Sequence, residues 1–258
     1  MSSPISNIND HFFDGNYKEV WRRMIPPGLS EAECEFIEDV AALQKGDRVL
    51  DLMCGFGRHT LPLARRGFRI DALDNSSAYI SELESIAFAE ALPIDCQISS
   101  ALEATFSHHY KAVICMGNSF AFFNRADGVA LLLKIAKHLK EDGILVINSW
   151  MIAEIAIKHF REKEWYEVQG YKYLLDYRFC FQPSRIESEH TIISSDGNIE
   201  SLKGVDYVFT LAELEEMFRE AGLTTKIFYS TPRKRPFKMG DNRIYIIAGK
   251  IGQALDEV

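Results

Sequence analysis

Two acids and a pair of glycines are the first residues in this sequence whose types and spacing could do chemistry. Asp51-Leu52-Met53-Cys54-Gly55-Phe56-Gly57 closes an apolar run and leads into a helical pattern at Thr60, so the glycines fall at a strand-to-helix turn. Glycine accepts the left-handed backbone of a tight turn and lets a ligand approach the main chain, while the following helix offers unpaired N–H groups at its start. An ordinary turn between a strand and a helix has the same look. Asp74 closes the next apolar run. A carboxylate there can accept the hydroxyl hydrogens of a ribose, or it can cap the helix that follows. With the glycine loop upstream, the ribose role is favoured.

The acid within the loop separates two cofactor classes. Gly55-x-Gly57-x-x-Thr60 lacks the third glycine that packs helix on strand in the dinucleotide fingerprint. Asp51 at the strand end would repel a pyrophosphate and attract a cation. A cationic cofactor therefore suits the loop better than a nicotinamide dinucleotide.

The residues also carry a resemblance. Val49-Leu50-Asp51-Leu52-Met53-Cys54-Gly55-Phe56-Gly57-Arg58-His59 resembles motif I of the class I S-adenosylmethionine-dependent methyltransferases, in particular a small-molecule branch reading LDLxCGxGRH. Ala112-Val113-Ile114-Cys115-Met116-Gly117-Asn118-Ser119-Phe120 is similar to the fourth-strand motif of that branch, seen also in glycine and sarcosine N-methyltransferases. The likeness covers residues 45–150; beyond them only the layout of inserted strands and a final hairpin matches.

The resemblance implies S-adenosylmethionine as cofactor and assigns places around it. The loop of Asp51, Met53, Cys54, Gly55 and Gly57, with Arg58, would hold the methionine end and its ammonium. Asp74 would hold the ribose, and Asn75 would border the adenosine. Met116 and Gly117 would flank the sulfonium, with Asn118 directed towards the transferred methyl and the substrate. The family often has an aspartate after the third strand for the adenine amine. Here Ser99-Ser100-Ala101-Leu102 stands in that place, so Ser100 or a backbone group beside Ala101 and Leu102 must serve.

Methyl transfer from a sulfonium is an in-line displacement in which the cofactor carries the activated group and the protein aligns the partners. A general base is optional, so no triad is required. Asn118, Tyr17 and Tyr207 are the candidates for orienting the substrate. Arg58 and His59 sit either at the mouth of the site or at a solvated helix start, and His108-His109 reads as an exposed turn. Phe12, Phe13, Tyr17 and Trp21 form either a lid over the cofactor or a staple that buries the N-terminal segment. Arg233-Lys234-Arg235-Pro236-Phe237-Lys238 is a solvated basic loop, or else an electropositive rim for an acidic substrate or RNA.

These residues need elements to position them. Ser30 followed by Glu33 looks like a capping box that opens a helix to about residue 43. Strands are expected at 48–53, 68–73, 95–98, 111–116 and 144–148, with helices at 60–66, 77–91 and 129–139 between them. This alternation specifies a parallel sheet covered by helices on both faces. After residue 150 the rhythm changes to strands at 171–181, 185–194 and 199–209, joined by turns that suit antiparallel hairpins. Thr210 then caps a helix to residue 221, and two strands at 225–229 and 243–248 finish the chain.

The fold class expected is α/β: a doubly wound, mostly parallel seven-stranded sheet of Rossmann-like methyltransferase type, with an antiparallel β insertion. Residues 1–44 are expected as a helical lid or cap, 45–150 and 210–250 as the cofactor-binding domain. Residues 151–209 would roof the acceptor pocket or mediate homodimer formation.

Composition bounds the function. At 47% hydrophobic and 26% charged residues, the chain can bury a large core. No run approaches the roughly 20 apolar residues that span a bilayer, and Met1-Ser2-Ser3-Pro4-Ile5 does not open a secretory signal. A cytoplasmic protein without membrane contact is expected. The five scattered cysteines form neither a disulfide framework nor, with histidine, a zinc site, so no metal is expected. A net charge of −8 opposes nonspecific attraction to nucleic acid. The favoured function is methyl transfer to an N or O atom of a small molecule. RNA or protein methylation, and a nonenzymatic S-adenosylmethionine-binding module, are the alternatives.

Overall fold

The computed structural model describes residues 7–252. The expectation drawn from residues 1–5 therefore lies outside the described residues. No helix among them is long and apolar enough to cross a membrane.

Seven strands form the main sheet: β1 (Arg48–Leu52), β2 (Arg69–Asp74), β3 (Ile94–Ile98), β4 (Tyr110–Cys115), β5 (Leu139–Ser149), β10 (Leu223–Tyr229) and β11 (Ile244–Lys250). Their order is β10-β11-β5-β4-β1-β2-β3, with only β11 running antiparallel to its neighbours. Strand order reverses between β1 and β4, and ligands of open α/β sheets bind in the crevice at such a switch point.

Alternation along β4 explains the two covered faces. Val113 and Cys115 point to one side, where α5 (Arg125–His138) and α7 (Leu211–Glu220) bring Leu131, Leu132, Ile135, Met217 and Phe218. Ala112 and Ile114 point to the other, against Cys34, Phe36 and Ile37 of α2 (Leu29–Val40) and Leu63 of α3 (Thr60–Arg65). A strand buried on both faces reads as a continuous apolar run, which is why β4 has the sequence it has. Helix α4 (Ser77–Ala89) packs Ile80 and Leu83 on Ala72 and Cys54.

The second sheet is antiparallel and four-stranded: β6 (Lys163–Val168), β7 (Tyr171–Phe181), β8 (Ser184–Ser194) and β9 (Ile199–Tyr207) in sequential order. Three of these strands were expected. β6 was not, because Lys163-Glu164-Trp165-Tyr166-Glu167-Val168 pairs on one side only and buries just Val168. Helix α6 (Ala153–His159) precedes it. The sheet lays Tyr173, Leu175 and Ile192 on Phe12, Tyr17 and Val20, the last two from α1 (Tyr17–Met24).

Two helix starts differ in an instructive way. Thr210 and Glu213 form the capping box that opens α7. Ser30 and Glu33 do not: α2 begins after Gly28 with no side-chain cap. Glu33 is instead drawn inward by buried partners stronger than an exposed N–H.

Candidate active site

The loop between β1 and α3 turns through positive φ at three alternate residues, 55° at Met53, 56° at Gly55 and 80° at Gly57. Cys54 N donates to Leu73 O at 3.0 Å, which ties the loop to β2. Gly57 is required by packing as well as by φ, since a Cβ there would stand 2.6 Å from Leu83 Cδ1 of α4. Asp51 is buried and accepts Thr60 Oγ1 at 2.6 Å. Burial raises its pKa, against the pull of His59, Thr60 and Arg58. Asp74 accepts Gly55 N at 2.8 Å and Ser76 N at 2.9 Å, and burial raises its pKa too. Its carboxylate thus clamps the glycine loop and the turn into α4, while each oxygen keeps a further acceptor site for a ligand.

A cavity opens at the carboxyl ends of β1, β2 and β4. Asp51, Met53, Cys54, Gly55 and Arg58 line one part, and Asp74 with Asn75 the next. Ser100, Ala101 and Leu102 follow β3, and Met116 with Gly117 follow β4. Of the residues expected around a cofactor, Gly57 alone lies off this wall; it holds the loop against Leu83 from behind.

The donor set fits S-adenosylmethionine. Two buried carboxylates suit an ammonium and a ribose diol. The hydroxyl of Tyr79, a residue that lines the cavity, is buried and has no hydrogen-bond partner among the described residues, which leaves it open to a ligand. Beside the Ser100–Leu102 wall, Lys134 donates to the carbonyls of Ala101, Leu102 and Ala104 at 3.1, 2.6 and 2.8 Å. A lysine three-carbonyl clamp therefore shapes the loop after β3. From above, Asn9, Phe13 and Trp21 close the cavity, and Asn75 Nδ2 donates to Asp10 O at 3.0 Å. Of the N-terminal aromatics, Phe13 and Trp21 line this cavity, and all four pack against the second sheet.

Arg58 and His59 both line this cavity and are not solvated. Both bind the wholly buried Glu33, His59 Nε2 standing 3.0 Å from Oε2. Tyr245 donates to Glu33 Oε1 at 2.7 Å, and Arg243 stands 3.6 Å from the same oxygen. Burial pushes the Glu33 carboxyl up, but His59, Arg58 and Tyr245 outweigh it and hold it at about 2. Glu33 is thus a charged hub joining α2, α3 and β11. His108 pairs with Asp71 at 2.9 Å in an exposed turn, and no metal-ligand cluster occurs among the described residues. In the basic loop Lys234 pairs with Asp39 and Arg235 with Asp241.

A second cavity adjoins the first and shares Asn9, Phe13, Trp21, Gly117 and Phe122 with it. Tyr17 and Asn118 line this second cavity, as do Trp150, Tyr173 and Asp206. Tyr207 lines neither. Successive strand residues face opposite sides, so Gly204 and Asp206 of β9 point in and Tyr207 points away. Asn118 is buried, with φ of 73°. Its Oδ1 accepts Ser149 Oγ at 2.8 Å, Trp150 N at 3.1 Å and Met151 N at 3.2 Å. That leaves Nδ2 to donate to Asp206 Oδ1 at 2.9 Å. Burial pushes the Asp206 carboxyl up to about 7, against the lowering by Asn118. Sequence reasoning missed Asp206, Glu33, Lys134 and Tyr79. For Asp206 a signal existed: it shares the inward face of β9 with Gly204.

Comparison with known proteins agrees with this geometry. A methyltransferase-domain family model matches residues 49–143. The glycine/sarcosine/dimethylglycine N-methyltransferase of Actinopolyspora halophila is 27% identical over 169 residues, 62% of this chain and 29% of that protein. The chain thus spans under a third of the length of that relative. The carboxy-S-adenosyl-L-methionine synthase of Aliivibrio fischeri (strain MJ11) is 30% identical over 166 residues, 60% of this chain and 67% of that one. Among solved structures, the CcbJ methyltransferase from Streptomyces caelestis shares the fold, with a TM-score of 0.81 at 18% identity over 95% of this chain and 98% of its own. The chain belongs to the class I S-adenosylmethionine-dependent methyltransferases, and S-adenosylmethionine is its cofactor.

Proposed function

We propose that this protein transfers the methyl group of S-adenosylmethionine to an N or O atom of a small molecule. The observation that carries this is the pair of adjoining cavities, one walled by the cofactor residues and one roofed by the second sheet, which meet at Gly117 and Trp21. When bound, the cofactor supplies a sulfonium-activated methyl group. Asp51 and Asp74 hold its charged and hydroxyl-bearing parts, and Arg58 reaches the same cavity from the Glu33 hub. The aromatic residues shared by the two cavities exclude water and align the acceptor with the methyl, which is where the rate gain of such a reaction arises.

Residues 151–209 supply most of the second cavity's lining, and its size favours a small acceptor over an RNA or a protein. The name of the Actinopolyspora relative, an enzyme acting on small amines, supports the same acceptor class. Five unpaired cysteines suit the reducing cytoplasm. Radiolabelled S-adenosylmethionine incubated with the protein and a metabolite extract tests the proposal. Label in the small-molecule fraction is expected. Label only in added RNA or protein, or in nothing, would overturn it.

A further inference from the structure

We infer that the acceptor is a basic amine, held as its ammonium by Asp206 inside an aromatic enclosure, and that Asp206 takes the proton which the nitrogen must lose. This rests on the methyl transfer proposed above and names its substrate class.

Three observations carry it. First, Asp206 faces the acceptor cavity with one oxygen committed to Asn118 and the other free of any hydrogen bond among the described residues. Asn118 can only donate at that contact, because its carbonyl already accepts three donors. It therefore holds the carboxylate oriented without supplying charge. Second, no cation compensates Asp206: among the described residues, only burial and the Asn118 hydrogen bond act on its titration. A desolvated carboxylate without a counter-ion is costly, and a cationic ligand removes that cost. Third, the walls around it are aromatic. Tyr17, Tyr173, Tyr177, Trp21 and Trp150 line the same cavity, and aromatic faces attract ammonium groups.

The other titratable groups leave this assignment in place. From β6, Glu164 adds a second acid to the cavity. From β8, His190 faces in with its pKa lowered to about 4 by burial, so it is neutral and paired with the Tyr173 hydroxyl. Burial raises Tyr17, Tyr173 and Tyr177 above their ordinary range, so all three stay neutral phenols. Of the cavity's basic side chains, Arg243 lies against Trp150 and Glu33, Arg161 is paired with Glu164, and His159 Nε2 stands 3.4 Å from Gly240 O.

The step balances without a further reagent. The ammonium N–H proton passes to the free oxygen of Asp206. The nitrogen lone pair so released forms the N–C bond as the C–S bond breaks and its electron pair stays on sulfur. The products are the methylated ammonium and neutral S-adenosylhomocysteine, and the Asp206 proton returns to water. An acid titrating near neutrality is matched to that exchange.

The test uses the whole protein with labelled S-adenosylmethionine and a metabolite extract split by ion exchange into cationic, neutral and anionic pools. Label in the cationic pool is expected. Label confined to a neutral or anionic pool would overturn the amine assignment and leave methyl transfer standing, whereas label in no pool would overturn both. D206N should lower the rate at pH 7 by about 100-fold or more, with S-adenosylmethionine binding by calorimetry unchanged. Its residual rate should climb about tenfold per pH unit as the amine loses its proton unaided. A readout independent of turnover is the carbon-13 carboxyl resonance lost in D206N. In the wild-type protein it should titrate near pH 7, and titration near pH 4 would remove Asp206 from the proton transfer. A D206N rate within threefold of wild type would do the same.

Discussion

The backbone N–H of Gly55 donates to the carboxylate of Asp74 at 2.8 Å, so the glycine loop after β1 and the acid closing β2 are one unit. The carboxylate proposed to hold the ribose also fixes the loop proposed to hold the methionine end. Asp74→Ala should therefore weaken S-adenosylmethionine binding by more than one direct contact would, about 100-fold or beyond. It should cost about 1–3 kcal/mol of stability through the stranded Gly55 and Ser76 amides. Calorimetry and thermal unfolding read the two effects separately. Unchanged affinity would remove Asp74 from the binding set.

Glu33 tests whether the buried charges are structural. It is fully buried and receives Arg58, His59 and Tyr245. Removing its charge in Glu33→Gln leaves those partners uncompensated, which should cost about 3–5 kcal/mol at pH 7. Its folded pKa of about 2 lies below the unfolded carboxylate value, so its contribution is full above about pH 4.3. That contribution is lost as pH falls through the folded value. The gap between wild type and variant should accordingly narrow between about pH 4 and 2. A gap that stays constant through that window would show that Glu33 does not act through its charge. Because Arg58 and Arg243 each line one cavity, the affinity for S-adenosylmethionine should fall as well.

Much of this architecture is legible in the residues because its determinants are local. Apolar runs ending in Asp51, Asp74 and Met116 mark strands whose ends meet at one crevice, and periodicity places them with errors of a few residues. What escapes is whatever depends on contacts distant in sequence. Glu33 sits three residues after Ser30 and has the spacing of a cap, yet Arg58 and Tyr245, far along the chain, decide its direction. Tyr207 and Asp206 are neighbours, and only the register of β9 against β8 shows which of them faces the acceptor. β6 carries charged residues on its open side and buries only Val168, so it does not announce itself.

The missing acid after β3 has a structural counterpart in Lys134. Its ammonium donates to three carbonyls of the 101–104 turn, a convergence that a planar guanidinium cannot copy. Lys134→Met keeps the aliphatic stem but releases the turn. S-adenosylmethionine affinity should drop by about tenfold, consistent with loss of an ordered hydrogen-bonded clamp. Lys134→Arg should recover only part of it. Competition assays with adenosine should show the same loss if the turn meets the adenine, as proposed. An undiminished adenosine affinity in Lys134→Met would place the turn outside recognition.

Asp206 makes a prediction about stability that needs no substrate. Burial raises its folded pKa to about 7, above an unfolded value of about 3.9, so the folded protein binds the extra proton across that range. Stability must then fall as pH rises from about 4 to 7, because across that window the unfolded state releases the proton while the folded state keeps it, which favours unfolding. Asp206→Asn removes the titration while keeping the shape and the contact with Asn118. The variant should match the wild type near pH 4 and exceed it in thermal stability near pH 8. Saturating cationic ligand should erase that advantage, since it supplies the missing counter-charge to the wild type alone. If Asp206→Asn is instead less stable than the wild type at pH 8, the carboxylate is already compensated within the fold. The vacancy for an ammonium would then not exist.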